Sequence, residues 1–212
     1  YEVEYPKEQT CCGAPAKYMG RPDLAAEIAK QNIDSLAKDE YEYIVSGCPT
    51  CTCALKEDWF KLLKDDDGYK EKVKSISEKS IDFVKLVHDL DAKIEAKGNK
   101  VVPTCDVACP TPIKVTYHDS CHLNRNLGVK EEPRKVLNSL SHLAFNEMHE
   151  PDRCCGFGGS YCIKLPEVSS EMLDKKLKNI ENSTADLVAV DCPGCLMSLR
   201  GGLDTKKSNT RV

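Results

Sequence analysis

The chain repeats itself, and the repeat is built around cysteine. CCGAPA at residues 11–16 returns as CCGFGG at 154–159, and GCPTC at 47–51 returns as DCPGC at 191–195. Between Cys12 and Cys48 lie 35 residues, and between Cys155 and Cys192 lie 36. Two matched motifs at a matched interval imply one structural unit used twice, which constrains architecture more than local propensity does. The second copy has a further cysteine upstream, Cys121 in YHDSCH, with 32 residues between it and Cys154. The counterpart in the first copy would fall about twenty residues before Tyr1. The first module is therefore expected to be cut short by the N-terminal boundary. A chain that starts at tyrosine reads as a piece of a longer one.

The local pattern repeats with the motifs. YEVEY (1–5) alternates apolar and charged residues, which predicts a half-buried strand leading to Cys11 and Cys12. Pro22 marks a helix start, with Leu24, Ile28, Ile33 and Leu36 on one face. YEYIVSG (41–47) is a β-branched run ending at Cys48. In the second copy VTYHDS (115–120) ends at Cys121, LAFNEM (143–148) leads to Cys154 and Cys155, and DLVAVD (186–191) ends at Cys192. Pro166 opens a helix with Met172, Leu173, Leu177 and Ile180 inward. Strand–helix alternation predicts an α/β fold of two pseudo-repeated modules with parallel sheets. The cysteine motifs then gather at the C-terminal ends of the strands, where such sheets place ligands. The expected division is 1–64 for the first module, 65–112 for a connection and 113–212 for the second module. Within the connection, Asp65–Asp67 and Gly68 form a turn. Residues 73–97 form one amphipathic helix through Ile76, Ile81, Val84, Val87, Leu90 and Ile94. The GNK segment and the prolines around Cys105 and Cys109 form an irregular linker.

Thirteen cysteines are too many for thiols that merely fill a core. A disulfide scaffold fits poorly, because the count is odd and the chain is long enough to build a hydrophobic core. Most of them fall into CC and CxxC clusters, which points to metal or redox chemistry. The complete module offers five thiols: Cys121, Cys154, Cys155, Cys192 and Cys195. Tetrahedral zinc takes four ligands, and so does a cubane [4Fe–4S] cluster. Adjacent side chains diverge from Cα atoms 3.8 Å apart, so a vicinal pair suits a cluster with several irons better than one small ion. Gly156, Gly158 and Gly159 would let backbone N–H groups approach the sulfurs. Cys195 falls in a first helical turn after Pro193, where the helix dipole favours thiolate.

Other readings explain less. CPTC and CPGC each look like a thioredoxin pair, but that leaves the vicinal cysteines unexplained. GFGGSY has neither the third glycine of a dinucleotide fingerprint nor a Walker lysine. A net charge of −4 and a pI near 5.8, with no basic block, argue against a nucleic-acid binder. No apolar run approaches the ~18 residues of a membrane helix. His118 and His122 flank Cys121 and read as structural histidines or as groups tuning a cluster, ahead of catalytic acids. Asp119 reads as a helix cap. Arg125 and Arg134 are expected to be solvated, with carboxylate binding as the functional alternative. Cys53, Cys105, Cys109 and Cys162 lie outside the pattern, and Trp59 belongs to a core or an interface.

At CCG and CxxC, and at KLPEVSSEMLDKKLKNI (164–180) and CLMSLRGGL (195–203), the chain resembles the cysteine-rich CCG domain family. That family includes the cysteine-rich component of heterodisulfide reductase and the iron–sulfur subunits of glycolate- and lactate-oxidising complexes, the latter being closer in these segments. The resemblance covers nearly the whole chain outside 60–110. It implies electron transfer, with a noncubane [4Fe–4S] cluster on five cysteines in the heterodisulfide reductase branch. Carried over, Cys121, Cys154, Cys155, Cys192 and Cys195 hold one cluster. Cys11, Cys12, Cys48 and Cys51 match four ligands of a second site, which would take a cluster, zinc or nothing. Implied partners are a flavin-bearing subunit, other iron–sulfur subunits, and quinone or another carrier. The implied location is the cytoplasm, at the inner face of the membrane through those partners. Family chains often begin with a ferredoxin-like part and continue past a GGL segment, which reinforces the expectation of a fragment. Many lactate-type members lose cysteines of the second motif, whereas CPGC is intact here. The expected function is an iron–sulfur subunit of a complex oxidising a 2-hydroxy acid such as lactate or glycolate. The alternatives are a heterodisulfide reductase-like subunit whose cluster cleaves a disulfide, and a zinc-stabilised interaction module. No catalytic side chain is expected.

Overall fold

The structure, a computed structural model, describes residues 2–97 and 111–212. Cys105, Cys109 and the predicted linker around them lie outside the described residues. The chain divides into two compact units, Tyr1–Phe83 and Val84–Val212.

The first unit begins with α1 (Ala14–Tyr18) and α2 (Pro22–Leu36), followed by strand β1 (Ile44–Ser46). A continuous helical stretch comes next: α3 (Pro49–Cys53), a π-helical turn (Ala54–Asp58) and α4 (Trp59–Leu63). Helix α5 (Lys70–Lys79) and strand β2 (Ser80–Asp82) complete it. Proline opens α2 and α3, where its missing N–H is one of the helix-end donors that lack an intrahelical partner anyway. The core gathers Ile33, Ile44, Leu55, Trp59, Leu63, Val73 and Ile76 around the small side chains of Ala14, Ala29 and Ala54. The buried face of α2 is Ala25, Ala29, Asn32 and Ile33, while Leu24 on the predicted face is exposed. The predicted turn at 65–68 is present, with the Gly68 N–H bonded to Asp66 Oδ1 at 3.0 Å.

Two predicted elements differ. Residues 2–5 form no strand, and Val3 and Tyr5 are well exposed. Alternation stabilises a strand only when a neighbour pairs with it and one face is covered. The strand that pairs with β1 is instead β2, parallel, with Ile44 opposite Ser80 and Ser46 opposite Asp82. It interrupts the predicted helix of 73–97, whose remainder is α6 (Phe83–Ala96). Serine, β-branched isoleucine and aspartate are weak helix formers. Here the Ser80 hydroxyl turns back to the Ile76 carbonyl at 2.6 Å, and Lys56 Nζ donates to the Ser80 carbonyl at 2.9 Å.

The second unit follows the predicted order closely. Strand β3 (Ile113–His118) leads to a π-helical turn (His122–Asn126), α7 (Glu131–Ser139) and β4 (Leu143–Phe145). Then come α8 (Tyr161–Lys164), α9 (Pro166–Ser183), β5 (Leu187–Val190) and α10 (Pro193–Thr205). The sheet order is β4-β3-β5, all parallel, with Val115 opposite both Phe145 and Leu187. Parallel strands need helical crossovers, so all three end on one edge. Cys121, Cys154 and Cys192 each follow one of those ends.

Candidate metal centre

Strand β3 positions the centre of the second unit. Tyr117 donates its hydroxyl to Asp191, and the Arg134 guanidinium lies 5.4 Å over the Tyr117 ring. Arg134 also bonds Asp119 at 2.7 Å and Glu147 at 2.6 Å. This network corrects two expectations. Asp119 is the buried partner of an arginine and not a helix cap, and Arg134 is committed to the scaffold. Arg125 is exposed beside Asp152. Side chains alternate along a strand, so His118, between Tyr117 and Asp119, is turned away from that network. It is 1% exposed, and neither ring nitrogen makes a hydrogen bond of ordinary geometry.

What His118 faces is sulfur. Ring nitrogen, Cys155 Sγ and Cys195 Sγ all lie within 4.8 Å of one another. Cys155 and Cys195 Sγ are 3.1 Å apart. Within this set the thiol contacts favour negative charge on Cys155. Its pKa is held far down by hydrogen bonds from the Cys154 thiol, then the Cys195 thiol, with help from His118 and the Phe157 N–H. Cys154 is pushed up as the donor to Cys155. Cys195 is likewise pushed up, as donor to Cys155 and Cys192. Cys121 is raised by burial and by the charges of Cys192 and Cys155. Cys154, Cys155, Cys195 and Cys192 therefore form one run of thiol contacts, and Cys121 is near enough to feel the charges of Cys192 and Cys155. His122 sits beside Cys121, its Nδ1 at 3.7 Å from the sulfur.

The glycine loop closes over the sulfurs as expected in part. The Gly156 N–H points to Cys154 Sγ at 3.4 Å, and the second amide comes from Phe157 rather than from a glycine. Gly156 has φ of 82°, and a Cβ there would sit 2.5 Å from the Ser169 carbonyl on α9. Gly158 and Gly159 serve the turn into α8, both with left-handed φ. Cys162 Sγ donates to the Gly159 carbonyl at 3.1 Å.

The first unit repeats the arrangement. Cys51 contacts Cys12 and Cys48, which is the order in which Cys195 contacts Cys155 and Cys192. The Cys51 thiol is pushed up as the donor, and it lowers Cys48 to about 6 and Cys12 to about 7. The Ala14 N–H reaches Cys12 as the Phe157 N–H reaches Cys155. Gly13 repeats the φ of 82° and lies against the Ala25 carbonyl on α2. Trp59 in the core donates its indole N–H to the Cys12 carbonyl at 2.8 Å. Cys53 is buried in that core, and none of the described cysteines is in a disulfide.

Motif spacing alone does not reveal two positioning residues. Asn32 is buried on α2 and bonds the Thr10 N–H, the Thr10 hydroxyl and the Cys11 carbonyl at 2.7, 3.1 and 3.0 Å. Lys176 is buried on α9 and donates to the Glu150 and Pro151 carbonyls at 2.9 and 2.8 Å. Each therefore ties down the segment just before its vicinal cysteines. The available signal was a polar residue inside an apolar helical stripe, 16 positions before Cys48 or Cys192.

The donor set suits a metal group on physical grounds. Converging thiols, a buried imidazole with unmatched nitrogens and a backbone cradle that excludes any Cβ need a polar occupant. The family model described as a cysteine-rich domain, CCG, matches residues 1–56 and 115–200. Lactate utilization protein A of Bacillus subtilis (strain 168) is 34% identical over 212 residues, covering 100% of this chain and 83% of that protein. The protein of the same name in Halalkalibacterium halodurans is 35% identical over 207 residues, covering 97% of this chain and 78% of the relative. Lactate utilization protein A 2 of Bacillus mycoides is 32% identical, covering 100% and 82%. With both halves matched and the paired sulfur sets in place, the chain belongs to the cysteine-rich CCG domain family.

Proposed function

We propose that this chain is the iron–sulfur subunit of a lactate-oxidising complex, receiving electrons from a flavin-bearing partner and passing them to quinone or another carrier. The observation that supports this reading is the cluster of His118, Cys155 and Cys195, whose ligand atoms lie within 4.8 Å of one another, with Cys154 and Cys192 in contact with it and Cys121 nearby. The names of the relatives supply the substrate class. Among the described residues no helix is long and apolar enough to cross a membrane, and any membrane contact is assigned to partner subunits.

The five thiols would hold the group of the second module, and Cys11, Cys12, Cys48 and Cys51 would hold one in the first. When bound, a [4Fe–4S] cluster supplies reversible one-electron transfer. The protein's own contribution is to pre-order the ligands. Contacts with the neighbouring thiols and the Phe157 N–H favour the thiolate form of Cys155, the form a metal ligand takes. The Gly156 and Phe157 amides stabilise negative charge on sulfur. His118 lines the buried side, where it excludes water and can offer an N–H to sulfur.

Anaerobic purification with iron and sulfide quantification tests the reading. About four irons and four sulfides per occupied module is the expected result. A colourless protein with stoichiometric zinc overturns it. Cys155→Ser should lose the second-module cluster, while Cys162→Ser should retain it.

A further inference from the structure

The two modules place different charges at one equivalent position. Asn32 and Lys176 each stand 16 residues before the CxxC of their module and seven after the residue that packs on the CCG glycine, Ala25 or Ser169. Each is followed by a core aliphatic, Ile33 or Leu177. Each reaches the segment preceding its vicinal cysteines. Asn32 does so as a neutral amide. Lys176 does so as an ammonium with no solvent exposure at all.

The surroundings of Lys176 are unusual for a cation. Its three hydrogen-bond acceptors are Met148 Sδ at 3.5 Å and the carbonyls of Glu150 and Pro151, all uncharged. A buried charge is costly unless an opposite charge compensates it. The groups whose negative charge favours its protonated form are Asp152, Asp119 and the sulfur set of Cys155 and Cys195. Against them, burial lowers its pKa to about 8. Asp119 is already neutralised by Arg134. Asp152 is exposed beside Arg125. On the buried side, Met148, which Lys176 contacts, packs in one core with Cys155 and Cys195, so the sulfur set is the buried counter-charge, and it gains negative charge whenever the metal group is reduced.

We infer that Lys176 is a positioning residue that sets the electron affinity of the second-module site. Its positive charge makes that site easier to reduce than a neutral side chain in the same place would, such as the Asn32 that stands there in the first module. The electron comes from the oxidised 2-hydroxy acid through the partner flavin. It adds one unit of negative charge to the metal group, and Lys176 stabilises that charge electrostatically. This inference rests on the iron–sulfur reading of the site.

The test is a redox titration, followed by EPR, of the anaerobically prepared protein and of Lys176→Gln and Lys176→Arg. Iron content is measured in each. Glutamine keeps donors for the loop carbonyls and removes the charge, whereas arginine keeps the charge. The expected result is full iron content in all three, with a midpoint potential shifted downward in Lys176→Gln alone. An unchanged potential in an iron-replete Lys176→Gln protein overturns the inference. So does equal loss of iron from both variants, which would make the residue a packing element only. If Lys176→Gln alone loses iron, retention of iron and of the unshifted potential by Lys176→Arg supports the role of the charge, and a shifted potential overturns it. A wild-type protein without iron instead refutes the iron–sulfur reading, before any variant is compared.

Discussion

The Phe157 ring lies directly on Gly194, so that a Cβ at residue 194 would stand 2.7 Å from Phe157 Cδ1. The pair joins the glycine loop to the first turn of α10, between Cys192 and Cys195. In the first unit the matching positions are Ala14 and Thr50. The large residue faces glycine and the small one faces threonine, so each copy keeps its own volume balance. Gly194→Thr should destabilise the second unit by about 1–3 kcal/mol through overpacking. Adding Phe157→Ala should recover much of that loss. Urea denaturation of the four proteins of this double-mutant cycle measures the coupling, and additive effects would show that the contact carries no energy.

Gly156 faces a harder constraint. Its φ of 82° is left-handed, and the Ser169 carbonyl occupies the place of a Cβ. Gly156→Ala should cost about 2 kcal/mol or more, part backbone strain and part clash. Because the strain would move the residue 156 N–H away from Cys154, iron content should fall with stability. Gly159→Ala is the control. It has left-handed φ but nothing within 4 Å, so it should show the smaller strain loss alone.

Asn32 makes four bonds from one side chain, including one to the Ile28 carbonyl at 2.8 Å. Asn32→Ala leaves the Thr10 N–H without that partner and should cost about 2–3 kcal/mol. Asn32→Asp should also destabilise, because its two oxygens cannot donate to the Cys11 carbonyl. Thermal unfolding of both variants checks the order. A neutral effect of Asn32→Ala would mean that the loop holds its shape unaided.

Lys176 gives a pH signature in the metal-free protein. Its folded pKa is lowered to about 8 from 10.5, chiefly by burial, against the pull of Asp152, Asp119, Cys155 and Cys195. Between those values the unfolded chain binds more protons than the folded one, so stability rises with pH. The cost of burying the ammonium is full below pH 8 and gone above 10.5. The stability difference between wild type and Lys176→Met, followed by denaturant midpoint, should therefore move in favour of wild type across that window. A flat difference would show that the ammonium is solvated.

The centre was legible because its chemistry is written in residue types at fixed intervals. Two CCG motifs, two CPxC motifs and the strands ahead of Cys48, Cys121, Cys154 and Cys192 can be read without coordinates, since cysteine spacing and β-branched runs are local signals. The strand at 80–82 could not be read this way. Its apolar spacing matches a helix, and what makes it a strand is hydrogen bonding to β1, far away in the chain. The exposed 2–5 segment failed for the converse reason, since alternation says nothing about whether a neighbour exists.

By itself, then, the sequence determined the doubled architecture, the parallel strands and the cysteines that meet. Each of these follows from covalent order and short-range periodicity. Only the tertiary structure decided that Asp119 belongs to Arg134, that His118 turns to sulfur, and that Lys176 is buried against uncharged acceptors. Those outcomes depend on burial and on partners brought together from distant parts of the chain. A proton moves to whichever neighbour can best share it, and a buried cation is tolerated only where opposite charge surrounds it.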